Sequence, residues 1–142
     1  MFKIVTNPDD LIKVFIIRGI VFMDEQKVAY SIEMDEFENS ALHILGEING
    51  EPVAAGRIRF IGEWAKLERI AVRKEFRNHG YGHRIVEYML KIARERGYRK
   101  FKMHAQSHLC DYYAKHGFKV AGKMFKEANI DHFLLVLKDN PI

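Results

Sequence analysis

The chain has 142 residues, 48% hydrophobic and 30% charged, with a formal net charge of +4. That length suits one packed core, and that balance excludes a disordered chain; no run approaches the roughly 18 apolar residues of a membrane-spanning helix. Cys110 is the only cysteine, which excludes an internal disulfide.

The opening segment, MFKIVTNPDD, lacks a secretory signal pattern because acids arrive by Asp9, so the expected location is cytoplasmic. Residues 2–6 read as a strand. Asn7-Pro8 then marks a helix start, with Asn7 as the cap and Pro8 at the first helical position. Leu11, Val14, Phe15, Arg18 and Phe22 recur at helical spacing, which predicts a helix over 8–22. The stretch 24–40 is acidic and weakly periodic, and reads as a loop with at most a short helix. Residues 41–48 and 52–61 are strands, joined by the strong hairpin signal Asn49-Gly50. Residues 65–72 form another strand and 73–82 a charged turn. A helix follows to about Arg96, with Ile85, Met89, Ile92 and Ala93 on one face and Gly97 as its stop. Then come a strand at 100–105, a helix at 107–116 stopped by Gly117, and strands at 118–122 and 132–138. The order predicts one mixed α/β domain over 1–142. Its crossover from strand 65–72 through the helix to strand 100–105 predicts parallel neighbours.

Between that strand and helix lies Arg77-x-x-Gly80-x-Gly82. A helix N-terminus offers unpaired N–H groups and partial positive charge, and glycines allow close backbone approach to a phosphate. Arg77 and Arg84 add fixed charge. The pattern fits a diphosphate cradle, and by itself fits an ordinary turn equally well. It is neither a Walker A loop nor a complete dinucleotide fingerprint.

The longer stretch ERIAVRKEFRNHGYGHRIVEYML resembles motif A of the GNAT superfamily of N-acetyltransferases, and DYYAKHGF at 111–118 resembles its motif B. Arg18, Val21-Phe22, Glu25-Gln26, Val28, Asp35-Glu36, His43, His104-Ala105-Gln106 and Glu127-Ala128-x-Ile130-x-His132 resemble the small bacterial ElaA/YjcF-like group. Asp131 stands where that group has proline. The resemblance implies a GNAT fold: a central twisted mixed sheet of six to seven strands flanked by about four helices. It implies acetyl-CoA as co-substrate, bound between strands 65–72 and 100–105. Pantetheine would run beside Ile70, Ala71 and Val72. The diphosphate would lie on Arg77, Asn78, His79, Gly80, Tyr81 and Gly82, with His83 and Arg84 in the same segment. Gln106 stands where many relatives place an asparagine that contacts pantetheine. The implied reaction is acetyl transfer to a primary amine, of a small molecule or a protein, by direct attack on the thioester. Tyr113 matches the general acid, and Tyr112 its packing neighbour. The alternative is a non-catalytic acyl-CoA-binding module of the same fold, in which Tyr113 would be dispensable.

Alternation along the strand puts Glu68 on one face with Ile70 and Val72, which makes it the candidate general base; a carboxylate paired with Arg or Lys is the equal alternative. The acids Asp24, Glu25, Glu33, Asp35, Glu36 and Glu38 form either a wall attracting a cationic amine or a solvated loop. Arg18, Glu25, Gln26, Glu36, His104 and His132 are the candidate acceptor-site residues. His79 and His83 share a helical face but lack a third ligand, so no metal is expected. Cys110 reads as a buried thiol. Arg69 to Arg84 carries no nucleic-acid-binding signature, so neither nucleic acid nor membrane is expected as a partner. A homodimer is left open.

Overall fold

The computed structural model describes residues 1–140. After β1 (Phe2–Ile4), Asn7 caps helix α1 (Pro8–Arg18) by accepting the Asp10 N–H at 2.9 Å. The helix does not stop at 22. It widens into a π-helical segment, Gly19–Glu25, followed by a single turn, α2 (Tyr30–Glu33). Strands β2 (Leu42–Ile48), β3 (Glu51–Ile61) and β4 (Trp64–Val72) form an antiparallel meander. Helix α3 (Tyr81–Glu95) then crosses to β5 (Lys100–Gln106), which pairs parallel with β4. A 3-10 turn at Ser107–Leu109 leads into α4 (Cys110–Ala114), and β6 (Lys119–Val120), β7 (Phe125–Glu127) and β8 (Ile130–Lys138) complete the sheet.

The strands run in the order β1-β2-β3-β4-β5-β8-β6, with β7 attached to β8, so the described residues form an eight-stranded mixed sheet. Beyond the expected six or seven strands stands β7, which forms a hairpin with β8. Its turn residues, Ala128 and Asn129, both take positive φ (49° and 64°), the requirement of a two-residue primed turn, but without the glycine that advertises one.

Apolar side chains cover both sheet faces. Ile85, Val86 and Met89 of α3 pack on one face with Ile58, Leu67 and Phe101, all fully or almost fully buried. Val14, Ile17 and Val21 pack on the other with Leu45, Ala55 and Ala71. Leu67 and Ala71 thus face opposite layers although their spacing is even. The cause is a bulge in β4: Arg57 pairs with Glu68 but Ala55 with Ala71, so β4 carries one extra residue there. Arg69 sits in it with φ 52°. The bulge overturns the expectation that Glu68 shares a face with Ile70 and Val72, which pack with the α3-side cluster. Among the described residues, no helix is long and apolar enough to cross a membrane.

Candidate active site

The β4–β5 pairing covers only Trp64–Lys66 against Lys100–Lys102. Beyond it the two strands diverge toward their tips at Val72 and Gln106, leaving edges that neither strand satisfies for the other. A cleft of about 500 Å³ opens at the tips, within the size range of small-molecule sites. Ile70, Ala71, Val72 and Gln106 line it from the strands, and Arg77, Asn78, Gly80, Tyr81, Gly82 and His83 from the segment that begins α3.

That segment owes its shape to two residues in left-handed conformation, Asn78 (φ 66°) and Gly80 (φ 82°). Gly80 is the cap position of α3 and offers no side chain, while its carbonyl receives the Arg84 N–H at 3.1 Å. The N–H groups of the first turn therefore have no partner within the helix and open on the cleft. Gly82 answers a different demand. A Cβ there would collide with the Tyr112 hydroxyl, so any side chain at this position would have to displace Tyr112 of α4. Tyr112 stacks on His83 (4.0 Å between centroids, 17°), and His83 Nδ1 lies 2.8 Å from His116 Nε2.

Arg77 donates through Nε to the Val72 carbonyl (2.9 Å) and forks onto Glu25 at 2.9 and 2.6 Å. The fork holds the Glu25 carboxyl below its usual range. Glu25, expected on the acceptor side, thus lines the cleft at the strand tips and not the neighbouring cavity. Next to it, Gln26 accepts a 2.8 Å bond from Gln106, tying the end of the π-helical segment across to β5. His79 and Arg84 are exposed and do not line the cleft; the Arg84 guanidinium lies against Phe2 and Tyr81.

A second cavity, about 290 Å³, adjoins the first, sharing Gln26, Ile70, Gln106, Leu109 and Tyr113. Tyr113 therefore stands where the two meet. It is 7% exposed, and burial, reinforced by Tyr112, pushes its phenol well above the ordinary value, which keeps it protonated and able to donate.

The second cavity is walled by ion pairs. Arg57, 1% exposed, bonds Asp35 at 2.8 and 2.9 Å, Glu38 at 3.0 Å, and Glu68. Arg18 clamps Glu33 and Glu38, each at 2.7 Å. Arg69 reaches the Glu33 carbonyl and Asp35, which holds the bulge in place. Glu68 also accepts from Arg59 (2.8 Å) and lies 3.3 Å from Lys66. Burial alone would raise the Glu68 carboxyl, but the bonds from Arg59 and Arg57 outweigh it and bring it down to about 2. Asp35 likewise falls to about 2, burial being overcome by Arg57 and the Phe37 N–H.

These contacts correct the reading of the acidic stretch as either a wall or a solvated loop. Glu33, Asp35 and Glu38 are bound to arginines inside the fold, Glu25 is bound to Arg77 at the surface, and Asp24 and Glu36 stand exposed without an arginine partner. Of the candidate acceptor residues, Gln26, His104 and His132 reach the second cavity. Arg18 is buried in the ion network, and Glu36 lies on neither cavity. Cys110 is half-buried rather than buried, and burial raises its thiol. The sequence reading missed Arg57, Arg59 and Lys66, and named Glu127 only as a match to the group. Arg57 and Arg59, two apart in an otherwise apolar strand, were the available signal. Glu127 sits on β7, 3.0 Å from His104 Nδ1.

The profile of the Acetyltransferase (GNAT) family matches residues 14–118, the span that carries the end of α1, the diverging strands, the α3 N-terminus and Tyr113. The chain belongs to the GNAT family. It is an acyltransferase. The uncharacterized N-acetyltransferase YjcF of Bacillus subtilis (strain 168) is 39% identical over 137 residues, 96% of this chain and 97% of that one. The crystal structure of Escherichia coli ElaA shares this GNAT fold at a TM-score of 0.87 and 21% identity, covering 97% of this chain and 99% of that one. A GNAT family acetyltransferase from Elizabethkingia anophelis, solved with acetyl-CoA bound, shares it at a TM-score of 0.68 and 18% identity, covering 97% of each chain.

Proposed function

We propose that this GNAT protein transfers the acetyl group of acetyl-CoA to the nitrogen of a primary amine, which attacks the thioester directly. The observation that carries the reading is the position of Tyr113 at the junction of two cavities, one backed by an open helix N-terminus and the other by a charged wall. Pantetheine would complete the β4 edge at Ile70–Val72, in the manner of an added strand. The diphosphate would rest on the first-turn N–H groups of α3, with Asn78 and Gly80 shaping the backbone toward it. The acetyl-CoA bound to the Elizabethkingia anophelis relative supports this choice of co-substrate.

Attack makes a tetrahedral oxyanion, for which a backbone N–H near Val72 is the available donor. As the carbon–sulfur bond breaks, the Tyr113 hydroxyl gives its proton to the departing thiolate. Its buried, protonated phenol suits that role. Glu68 does not suit the base role. Its oxygens are taken by Arg57, Arg59 and Lys66, and a carboxyl near 2 is far too acidic to capture a proton from an ammonium of pKa about 10.4. We read Glu68 as a structural anion and the amine's proton as leaving by another route. The acceptor-side cavity, at about 290 Å³, favours a compact amine, or a lone lysine side chain, over a bulky one.

The test is release of the coenzyme A thiol from acetyl-CoA against a panel of small primary amines, with binding followed by calorimetry. Amine-dependent release that fails in Tyr113→Phe supports the reading. Saturable CoA binding with no release for any amine would instead favour the non-catalytic module.

A further inference from the structure

We propose that His104, held by Glu127, is the base that takes the proton from the acceptor amine. This rests on the amine-acetylation reading above. Along β5, Phe101, Met103 and Ala105 are buried, while His104 alternates onto the other face and lines the acceptor-side cavity. Its Nδ1 lies 3.0 Å from Glu127 Oε1. A carboxylate only accepts, so Nδ1 carries the hydrogen, and in the neutral imidazole Nε2 then has the lone pair. The Phe125 ring stands edge-on to the imidazole at 5.0 Å and 75°, which fixes its plane.

The charged groups around the pair narrow the choice. Glu33, Asp35 and Glu68, the other carboxylates on the cavity wall, are each bonded to a guanidinium, and Lys66 of β4 is drawn to Glu68. Glu127 is the wall carboxylate bonded instead to an imidazole. On its other side stands His132 of β8, whose Nδ1 lies 2.7 Å from the Ile130 carbonyl and whose Nε2 is 3.8 Å from Glu127 Oε2. Tyr113 of α4 lines the same cavity. A carboxylate behind an imidazole sets its tautomer and stabilises the imidazolium that forms, the division of labour seen in hydrolase triads.

The proton balance is as follows. The ammonium form of the amine gives one proton to His104 Nε2, which passes it to solvent; the freed nitrogen bonds to the thioester carbon, and a second proton then leaves that nitrogen for His104 Nε2. The carbon–sulfur bond then breaks, and the thiolate takes the Tyr113 proton. His104 returns its proton to solvent and Tyr113 regains one from solvent, leaving an amide and free thiol. Glu127 touches only the imidazole and is a positioning residue.

The experiment uses the full chain, with ethanolamine, putrescine and glucosamine as probes and thiol release followed across pH. His104→Gln should lose about 10²-fold in kcat/KM at neutral pH with CoA affinity unchanged. The loss should shrink toward alkaline pH, where the amine deprotonates unaided at about 10.4. In His104→Gly, added imidazole should restore rate. Glu127→Gln should lose less, in kcat rather than in KM for the amine, because the imidazole is no longer held in one tautomer, and Glu127→Asp should recover part of the loss. Glu127 is 47% exposed, so this variant keeps the test available should changes at His104 impair folding. Wild-type rate and pH profile in His104→Gln, or in Glu127→Gln alone, would overturn the assignment while leaving amine acetylation intact. No release by the unaltered protein with any probe would remove both readings.

Discussion

The cleft at the strand tips takes its shape from the main chain, through diverging strands, two left-handed residues and a helix end, whereas the cavity beside it takes its shape from side chains locked in ion pairs. A wall made of backbone is sensitive to whether a residue carries a Cβ and tolerant of much else. A wall made of charges is sensitive to every partner in the network, because a buried guanidinium and its carboxylates are balanced only together. The two meet at Tyr113, so damage to either should be separable by asking whether folding, binding or turnover fails first.

The largest expected effect is on the charged side. Arg57→Met leaves Asp35 and Glu68 short of a partner and should cost about 3–5 kcal/mol, read as a lowered urea midpoint. The half-exposed Arg77–Glu25 pair offers the contrast: Arg77→Met should cost at most about 1 kcal/mol. Equal losses would break the distinction. Next, Tyr113→Phe should lower kcat by about 10²-fold or more with the CoA dissociation constant unchanged, measured by stopped assay and calorimetry. On the backbone side, Gly82→Ala should destabilise by about 1–3 kcal/mol and weaken CoA binding, because the new methyl displaces Tyr112. Adding Tyr112→Phe should recover part of the loss. No recovery would mean that the methyl acts on the ligand alone.

The ion network also sets an acid threshold. Asp35 and Glu68 have carboxyls near 2 in the folded chain against ordinary values of 3.8 and 4.5. The unfolded chain therefore binds more protons between those values. Their stabilisation is complete above about pH 4.5 and fades as pH falls toward about 2. Urea midpoints measured downward from neutral pH should hold and then drop in that window, with a shallower drop in Arg57→Met. The smallest effect is expected from Glu25→Gln, which frees Arg77 and should tighten CoA binding a few-fold at low salt.

The same division explains what could be read from the sequence. Backbone features leave local marks. Asn49-Gly50 does form a turn with positive φ at both residues (51° and 82°), and Gly80 caps α3 as the cradle pattern requires. Side-chain networks leave none. Nothing near Arg57 announces that its partners lie 22 and 11 residues away. The acidic stretch looked like one feature because acids were counted where they occur, not where their cations come from. The Ala128-Asn129 turn escaped because alanine is a poor advertisement for positive φ, and with it went β7 and the contact between Glu127 and His104. The π-helical widening at Gly19–Glu25 escaped because helical periodicity alone does not distinguish a wider coil.

The extra residue at Arg69 makes β4 behave as two half-strands of opposite parity. Before it, odd-numbered residues such as Ala65 and Leu67 face α3; after it, the odd-numbered Ala71 faces α1. Deleting that one residue would shorten the chain trivially, yet it would rotate the whole tip of the strand by half a period. Ala71 and Val72 would trade layers, and the free edge of β4 would slip out of register with the N-terminus of α3.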